Sequence, residues 1–219
     1  LKKINTTNVN FIGNLKFAEN NDHSQNKLSN FLKIELKSKK IWVASSTHKH
    51  EEIFCAKTHI ELKKKIKNLL TIIIPRHTHR VDEIILELNK YNLKVARHSS
   101  RKQNLKKIDI YIVDTFGETQ KFHKNASSVF LGGSIIKRGG QNPLEAARYG
   151  AKIFHGPNID NFKDIDALLK DLDISKKIST PKQLASYVVF KKNKILGHKI
   201  KKTGRKILNK TIRELDIFI

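Results

Sequence analysis

The chain has 219 residues and a formal net charge of +24, because 44 basic side chains, 36 of them lysine, outnumber 20 acidic ones. A surface of this charge is expected to attract anions. The single cysteine, Cys55, excludes an internal disulfide and a cysteine-based zinc cluster, and no apolar run reaches the roughly 18 residues of a membrane-spanning helix. The chain has no methionine and begins with Leu1, so we expect it to be a piece of a longer protein.

Short apolar runs alternate with longer amphipathic stretches from residue 41 onward. The runs are continuous and rich in Val and Ile, which is typical of parallel strands covered on both faces. The predicted strands are Ile41–Ala44, Thr71–Ile74, Leu93–Ala96, Ile108–Val113, Val129–Leu131 and Lys152–Phe154. The predicted helices are Val81–Tyr91, Asp164–Leu172, Pro181–Lys191 and about Lys201–Leu215.

Strands that alternate with helices predict an α/β fold, a Rossmann-like doubly wound parallel sheet. We assign residues 1–40 to a leading segment and linker, residues 41–180 to the doubly wound domain, and residues 181–219 to carboxyl-terminal helices. Sheets of this type bind ligands outside the carboxyl ends of their strands. The turns that follow the strands are therefore the places to look for chemistry.

Small and basic side chains follow the first two predicted strands. Ser45–His48 precedes a helix that His50 and Glu51 open, so its backbone N–H groups would suit an anion, although a simple helix cap fits the same residues. Pro75 ends the second strand and puts Arg76 where a guanidinium can hold a phosphate, although a solvated basic turn also fits. Histidines occur in both turns, but none forms a helical i, i+4 pair with an acidic ligand, so no metal site is predicted.

Glycines follow the fourth and fifth predicted strands. Gly117, within the turn Asp114–Glu118, permits close approach of a ligand, which is a common and weak signal. The stretch Gly132–Ala146 is more specific, because its two glycine pairs would let backbone amides face a phosphate, and Lys137 and Arg138 add positive charge. Its spacing fits neither the Walker loop nor the dinucleotide-binding fingerprint.

The end of this stretch fits two roles. Asn142 suits an N-cap, Pro143 the first helical position, and Glu145 a side chain that reaches back to the cap. A glutamate beside a glycine-rich phosphate cradle is equally well placed to accept both hydroxyls of a ribose. The spacing does not choose between the two roles.

Six blocks of residues, in order and spacing, resemble the carboxyl-terminal half of the 3-deoxy-D-manno-octulosonic acid (Kdo) transferases. The blocks are Gly13–Phe17, Trp42–His48, Ile74–His77, Asp114–Glu118, Gly132–Ser134 and Gly139–Ala147. The match also includes His155–Pro157 and Asn161–Phe162, so that it covers nearly all of residues 9–162.

This resemblance implies the second domain of a GT-B glycosyltransferase, which transfers Kdo from CMP-Kdo to the lipid A precursor lipid IVA in lipopolysaccharide synthesis. The family needs no metal or other cofactor for the transfer, inverts the configuration at the sugar, and works at the cytoplasmic face of the bacterial inner membrane, an anionic surface. The family's first domain carries the membrane anchor, the acceptor groove and the general base, and we expect it to lie outside this chain. Alone, the chain is expected to bind CMP without transferring sugar, and its last helices to pack toward that first domain, which a separate chain would supply if the enzyme is split.

The resemblance also carries over individual residues. Lys16 would stabilise the charge that develops on the phosphate leaving group. The residues that would line the donor site, with the glycine-rich cradle included, are Pro75, Arg76, Phe116, Gly117, Glu118, Gly132, Gly133, Ser134, Asn142, Pro143, Leu144 and Glu145.

The sequence departs from the family's pattern at a few positions near these blocks. Ala18 stands where the family usually has Asp, Gln141 where it has His, and Phe116 where Met is common. Lys49–His50 replaces a frequent Glu–Gly pair. These changes alter the local hydrogen bonding but remove no implied CMP contact.

Two other interpretations stay open at this point. The net charge and the lysine run Lys63–Lys67 suggest a basic nucleic-acid-binding protein, although the aromatic residues are not interleaved with the basic ones and no nucleic-acid-binding motif occurs. The expected absence of a first domain suggests an inactive remnant of a broken transferase gene, although the implied donor-site residues are intact.

Overall fold

Within residues 12–18, 27–100 and 104–216, which the computed structural model describes, seven parallel strands form one sheet flanked by helices. The strands are β1 Lys40–Thr47, β2 Leu69–Pro75, β3 Val95–Arg97, β4 Ile110–Ile112, β5 Ser128–Leu131, β6 Lys152–His155 and β7 Ser175–Lys177. The helices are α1 Asn30–Lys37, α2 Glu51–Lys63, α3 Val81–Asn89, α4 Thr119–His123, α5 Leu144–Ala147, α6 Lys163–Asp171, α7 Pro181–Tyr187 and α8 Lys194–Asp216. Short 3₁₀ helices cover Leu15–Phe17 and Thr78–Arg80.

Both faces of the sheet are covered, because the central strands carry apolar side chains in both directions. Every residue of β2 is buried. On β1, Trp42 packs into an apolar cluster with α2, α3 and α7, whereas Val43 packs into a second cluster with α1, α4 and α5. Successive side chains of a strand point to opposite faces, so the continuous apolar runs of the sequence produce this two-sided core.

The strand order β3-β4-β2-β1-β5-β6-β7 puts the topological switch point at β1. The chain runs from β1 to β2 on one side and later returns to β5 on the other. The turns after these strands are in contact, because the Arg76 amide donates to the Thr47 carbonyl over 2.9 Å and the Gly132 amide to the Ser45 carbonyl over 2.8 Å. In open α/β sheets the crevice at such a point is the usual ligand site.

The prediction that residues 1–40 form a leading segment and linker is wrong for Asn30–Lys37, which form α1. Residues 1–11 and 19–26 lie outside the described part of the chain. Ser29 caps α1 by accepting a hydrogen bond from the Leu32 amide over 3.2 Å. Leu32 and Leu36 are buried in the core. The polar, lysine-rich composition hid this helix because only two of its eight residues face the core.

The carboxyl-terminal elements also differ from the prediction. Helix α7 ends at Tyr187 rather than Lys191, and α8 begins at Lys194 rather than about Lys201. Gly197 and Gly204 permit the longer helix to pack closely, since a Cβ at Gly204 would lie 1.9 Å from the Phe17 carbonyl oxygen. Strand β7 was not predicted because Ser-Lys-Lys has no apolar pattern, and such lysines are typical of a sheet edge.

A buried polar chain at the amino-terminal edge of the sheet ties α2 to β2 and β4. Asp109 accepts a hydrogen bond from the Lys94 amide over 2.9 Å and an ion pair from Lys63. The His59 Nε2 atom lies 3.5 Å from this carboxylate, and its Nδ1 atom lies 2.9 Å from the Thr71 hydroxyl. This order of groups resembles a catalytic triad, but His59 and Thr71 are fully buried, so the chain of contacts is structural.

We expect Asp109→Asn to lower the free energy of unfolding at pH 7 by about 2 to 4 kcal/mol, because it weakens a buried, charge-assisted network. Burial by itself raises the pKa of Asp109, but the bonds from His59, Lys63 and the Lys94 amide outweigh it and hold the pKa below its ordinary 3.8. A carboxyl with a lowered folded-state pKa stabilises the protein above about pH 4, and this contribution is lost as the pH falls further.

Urea unfolding of both proteins between pH 7 and pH 3 measures this difference. The advantage of the wild type should be constant down to about pH 5 and should shrink below about pH 4. Asp171→Asn, at an exposed position on α6, is the matched control and should have little effect. Equal stability of wild type and Asp109→Asn at pH 7 would contradict the assignment.

Candidate functional site

One buried carboxylate, that of Glu51, joins the turns that follow β1 and β5. Its Oε2 atom accepts hydrogen bonds from the amides of His48, over 3.0 Å, and Gly133, over 2.7 Å. Its Oε1 atom accepts from the amides of Ser134, over 3.1 Å, and Ile135, over 3.0 Å. Glu51 is fully buried, and bonds to an ionised acceptor are about twice as strong as neutral ones. We call these four contacts the Glu51 brace.

The brace is possible because the two turns are in direct contact. A Cβ at Gly132 would lie 2.2 Å from the Ser46 carbonyl oxygen and 2.7 Å from the Thr47 Cα, so only glycine fits there. Ser134 extends the same network to β6, since its hydroxyl accepts a hydrogen bond from the Gly156 amide over 2.8 Å. The carboxyl ends of three strands, β1, β5 and β6, are thereby held as one unit.

The amides of Gly133 and Ser134 do not have the environment that the sequence predicts. They were expected to face a phosphate, but both donate to Glu51, because a buried carboxylate lies within reach and satisfies them. Gly140 also has a packing role, since a Cβ there would lie 2.3 Å from the ring of Phe162. An internal anion and close packing therefore shape this stretch, and contact between its first glycine pair and a ligand stays a prediction.

The residue before helix α2 has a strained backbone. His50 precedes it with φ +79°, and no side chain caps this helix terminus, so the predicted cap by Ser45–His48 is not formed. Instead the Glu51 side chain reaches back to the His48 amide. A left-handed conformation costs a residue with a Cβ about 1 to 2 kcal/mol, and His50 stands where Gly is frequent in the family that the sequence resembles.

Basic side chains surround the mouth of the crevice. We define the basic cluster as His48, His77 and Arg138, which come from the turns after β1, β2 and β5. The rings of His48 and His77 meet edge to face with centroids 5.6 Å apart. A Cβ at Gly133 would lie 3.3 Å from the Arg138 Cβ and 3.4 Å from the His48 Nε2 atom, so these two residues flank that glycine. Burial, and then the electrostatic influence of His77, Arg138 and Arg76, lowers the pKa of His48.

An ion pair between Arg80 and Glu52 lies beside the basic cluster. The Arg80 guanidinium is 3.1 Å from the Glu52 carboxylate, and Glu52 is fully buried. Burial raises the pKa of Glu52, and the charge of Arg80 opposes this rise. Arg80 also contacts Glu83 over 3.4 Å, and Glu83 in turn pairs with Lys49 over 3.1 Å. These carboxylates are thus engaged with Arg80 and Lys49 rather than with the basic cluster.

His123 orients Glu145, the residue implied to hold a ribose. The Asn142 side chain accepts a hydrogen bond from the Leu144 amide over 3.0 Å, and α5 begins at Leu144 with Pro143 at the cap position. The predicted capping box is not formed, because Glu145 turns to the Nδ1 atom of the buried His123, 2.8 Å away. The Glu145 side chain stays 27% exposed, so a fixed carboxylate is available to hydroxyl donors.

The turn after β4 presents three of the predicted residues at the surface. Phe116 is 79% exposed, and Gly117 adopts φ +79°. Glu118 forms an ion pair with Lys121 over 2.8 Å and borders a cavity of about 470 Å³ that Tyr111 also lines. These side chains lie on the same edge of the sheet as Arg76.

Arg148 fixes the short helix that carries Lys16. Its guanidinium, at the end of α5, donates to the carbonyl of Lys16 over 2.8 Å and to that of Phe17 over 3.1 Å. The Lys16 side chain is exposed. The turn is therefore anchored to α5 from one side and to α8, through Gly204, from the other.

Sequence reasoning missed three residues that shape this region, Glu51, His123 and Arg148. Acidic residues are common in the first turn of any helix, so the position of Glu51 gave no special signal.

No group of three or more His, Cys, Asp or Glu side chains in the described ranges is arranged to hold a metal ion. In the same ranges no helix is long and apolar enough to cross a membrane.

The sequence is similar to curated Kdo transferases, although no protein-family model matches it. It is 30% identical over 165 residues to the 3-deoxy-D-manno-octulosonic acid transferase of Haemophilus influenzae, a match that covers 75% of this chain and 39% of that protein. It is 37% identical over 155 residues to the enzyme of the same name from Rickettsia conorii, covering 70% of this chain and 33% of that protein. These matches confirm the resemblance, and the chain spans less than half the length of these relatives.

The fold is similar to that of a solved domain. The carboxyl-terminal CMP-Kdo binding domain of WaaA from Acinetobacter baumannii superposes with a TM-score of 0.65 and 22% identity, covering 81% of this chain and 97% of that domain. This match confirms the predicted fold class, a doubly wound domain of the GT-B glycosyltransferase type.

Glu51→Ala should lower the melting temperature strongly, because it leaves four amides without their acceptor, and each of the two buried ones costs about 1 to 3 kcal/mol. The substitution removes a group of the size of acetate. Acetate at high concentration should therefore raise the melting temperature of Glu51→Ala more than that of the wild type, since it binds the folded state only.

Glu61→Ala, which removes the same charge from a partly exposed position on α2, is the control and should change little. Glu51→Gln keeps one acceptor oxygen and serves if the alanine variant does not fold. A melting temperature equal to that of the wild type for either Glu51 variant would contradict the brace.

His50→Gly should raise the free energy of unfolding by about 1 kcal/mol, because it relieves the left-handed strain before α2. Thermal or urea unfolding at pH 7 measures the gain. Asn92→Gly is the matched control, since Asn92 has φ +54° but Asn tolerates this conformation, so a smaller gain is expected. A loss of stability in His50→Gly would show that the strain is not there.

Proposed function

We propose that the chain is the donor-binding part of a Kdo transferase and that its crevice binds CMP-Kdo. The observation that carries this proposal is the similarity of 30% to 37% to Kdo transferases over 155 to 165 residues. The residues carried over to the donor site fall within the blocks on which the resemblance rests. Because the chain spans 39% or less of these two relatives, the transfer reaction is proposed for a complete enzyme to which this chain contributes one part.

In this proposal the CMP moiety lies along the turns after β2, β4 and β5. Glu145, oriented by His123, accepts the two ribose hydroxyls, and Arg76 contacts the phosphate. Phe116, exposed beside Gly117 with its φ of +79°, offers an aromatic surface to the base. The donor is thus held by carboxylate, guanidinium and aromatic contacts, with no cofactor assigned.

The proposed transfer is an inverting displacement at the anomeric carbon of Kdo. A hydroxyl of the acceptor, lipid IVA, attacks this carbon, the bond from the carbon to the phosphate oxygen of CMP breaks, and the hydroxyl proton passes to a general base. Lys16 stabilises the negative charge on the departing CMP. We assign the general base and the acceptor groove to a part of the enzyme outside this chain.

We further propose that the protein works at the cytoplasmic face of a bacterial inner membrane. Between Asp173 and Glu214 the sequence has 13 basic residues and no acidic one. Several of these lysines, among them Lys199, Lys202 and Lys206, are exposed on α8. Each basic residue near an anionic membrane surface contributes about 1 kcal/mol of attraction, so this region supports a peripheral position.

CMP at about a hundred times its dissociation constant should stabilise the protein by about 2.7 kcal/mol, which corresponds to a rise in melting temperature of about 5 to 10 °C. UMP should give a smaller rise. Glu145→Ala should lose most of the effect of CMP, because the ribose hydroxyls lose their acceptor.

Glu87→Ala on α3 is the control with the same change of charge and should respond to CMP as the wild type does. The rise should persist at 0.2 M salt, whereas nucleic-acid binding by a basic surface weakens steeply with salt. A folded protein that does not respond to CMP would contradict the proposal and would favour the inactive remnant.

A further inference from the structure

Three basic side chains at the switch point have no role in the CMP site described above. They form the basic cluster, and none of them was carried over from the resemblance as a ligand contact. His48, His77 and Arg138 come from three different turns, those after β1, β2 and β5, and the Glu51 brace fixes two of these turns. The fold therefore assembles the cluster from distant parts of the chain.

The positive charge of this cluster is not balanced by the protein. Among the described residues no carboxylate lies within 4.0 Å of a side-chain nitrogen atom of His48, His77 or Arg138, and the nearby acidic groups are engaged elsewhere. Glu51 is saturated by four amides, and Glu52 pairs with Arg80. The buried Nε2 atom of His48 has no hydrogen-bond partner in the protein. Unbalanced guanidinium charge beside an unpaired donor or acceptor is the environment that an anionic ligand would complete.

The cluster lies on the other side of the sheet from the residue proposed to hold the ribose. Glu145 lies in the first turn of α5, which packs on the face that Val43 points to, whereas His48 precedes α2, which packs on the face that Trp42 points to. Arg76 follows β2, next to His77. A nucleotide with its ribose at Glu145 and its phosphate at Arg76 would therefore extend its attached sugar toward the basic cluster.

CMP-Kdo carries two anionic groups on one carbon atom, the phosphate of CMP and the carboxylate of the sugar acid. We propose that the basic cluster binds this carboxylate, with Arg138 supplying a charge-assisted contact and His77 and His48 supplying hydrogen bonds. The inference rests on the proposed function. It assigns to this chain the selection of a sugar acid over an uncharged sugar, because a neutral sugar would leave the cluster unpaired.

Titration calorimetry with two probes, CMP and freshly prepared CMP-Kdo, separates the carboxylate from the phosphate. The wild type should bind CMP-Kdo more tightly than CMP. In Arg138→Gln and in His48→Gln the affinity for CMP-Kdo should fall about tenfold, while the affinity for CMP should change less than about twofold. Arg205→Gln, an exposed arginine on α8, is the control with the same substitution and should change neither affinity.

The other possible results of the titrations lead to different conclusions. Equal losses for both probes would assign the cluster to the phosphate and overturn the inference while leaving the proposed function intact. Unchanged affinities in both cluster variants would overturn it as well. A wild type that binds neither probe would overturn the proposed function and this inference with it. Melting temperatures of the two variants close to that of the wild type show that the losses are not caused by unfolding.

Discussion

The crevice depends on one buried negative charge. Glu51 is fully buried, and four backbone amides from two turns donate to it. An ionised carboxylate without such partners would be too costly to bury, and the amides without the carboxylate would be unsatisfied. Because the carboxylate and the amides each need the other, they fix the turns after β1 and β5 in one arrangement. This arrangement sets the position of every residue that the two turns contribute to the crevice.

In this arrangement the backbone amides of the glycine-rich turn bind the Glu51 carboxylate, so the anionic groups of a ligand must bind elsewhere in the crevice. Glycine-rich turns at the ends of strands commonly hold a phosphate, but here an internal carboxylate uses the amides of Gly133 and Ser134. A bound nucleotide sugar must then find its partners among side chains at the mouth, where Arg76, Arg138 and the histidines are. The large positive charge of the chain is most concentrated after Asp173, so the specific contacts in the crevice are distinct from the general basic surface.

Sequence patterns predicted the elements that bury apolar side chains, and missed those defined by pairing or by distant contacts. All six predicted strands exist, because Val and Ile runs buried on both faces have no other stable place. The edge strand β7 and the lysine-rich α1 were missed because their composition is that of exposed chain. The ordered motifs located the crevice, but the contact between His123 and Glu145, or between Arg148 and the Lys16 carbonyl 132 positions away, depends on tertiary packing that a linear pattern does not encode.

A cytidine nucleotide is proposed to bind in this crevice while the Glu51 brace stays intact. Amide chemical shifts of the ¹⁵N-labelled protein, recorded during a CMP titration, test both parts together. We predict saturable shifts at Arg76, Gly117 and Glu145, with smaller shifts at Gly133 and Ser134, whose N–H groups stay bound to the carboxylate. If the largest shifts occur at Gly133 and Ser134, or if no residue of the crevice shows saturable shifts, CMP does not bind as proposed.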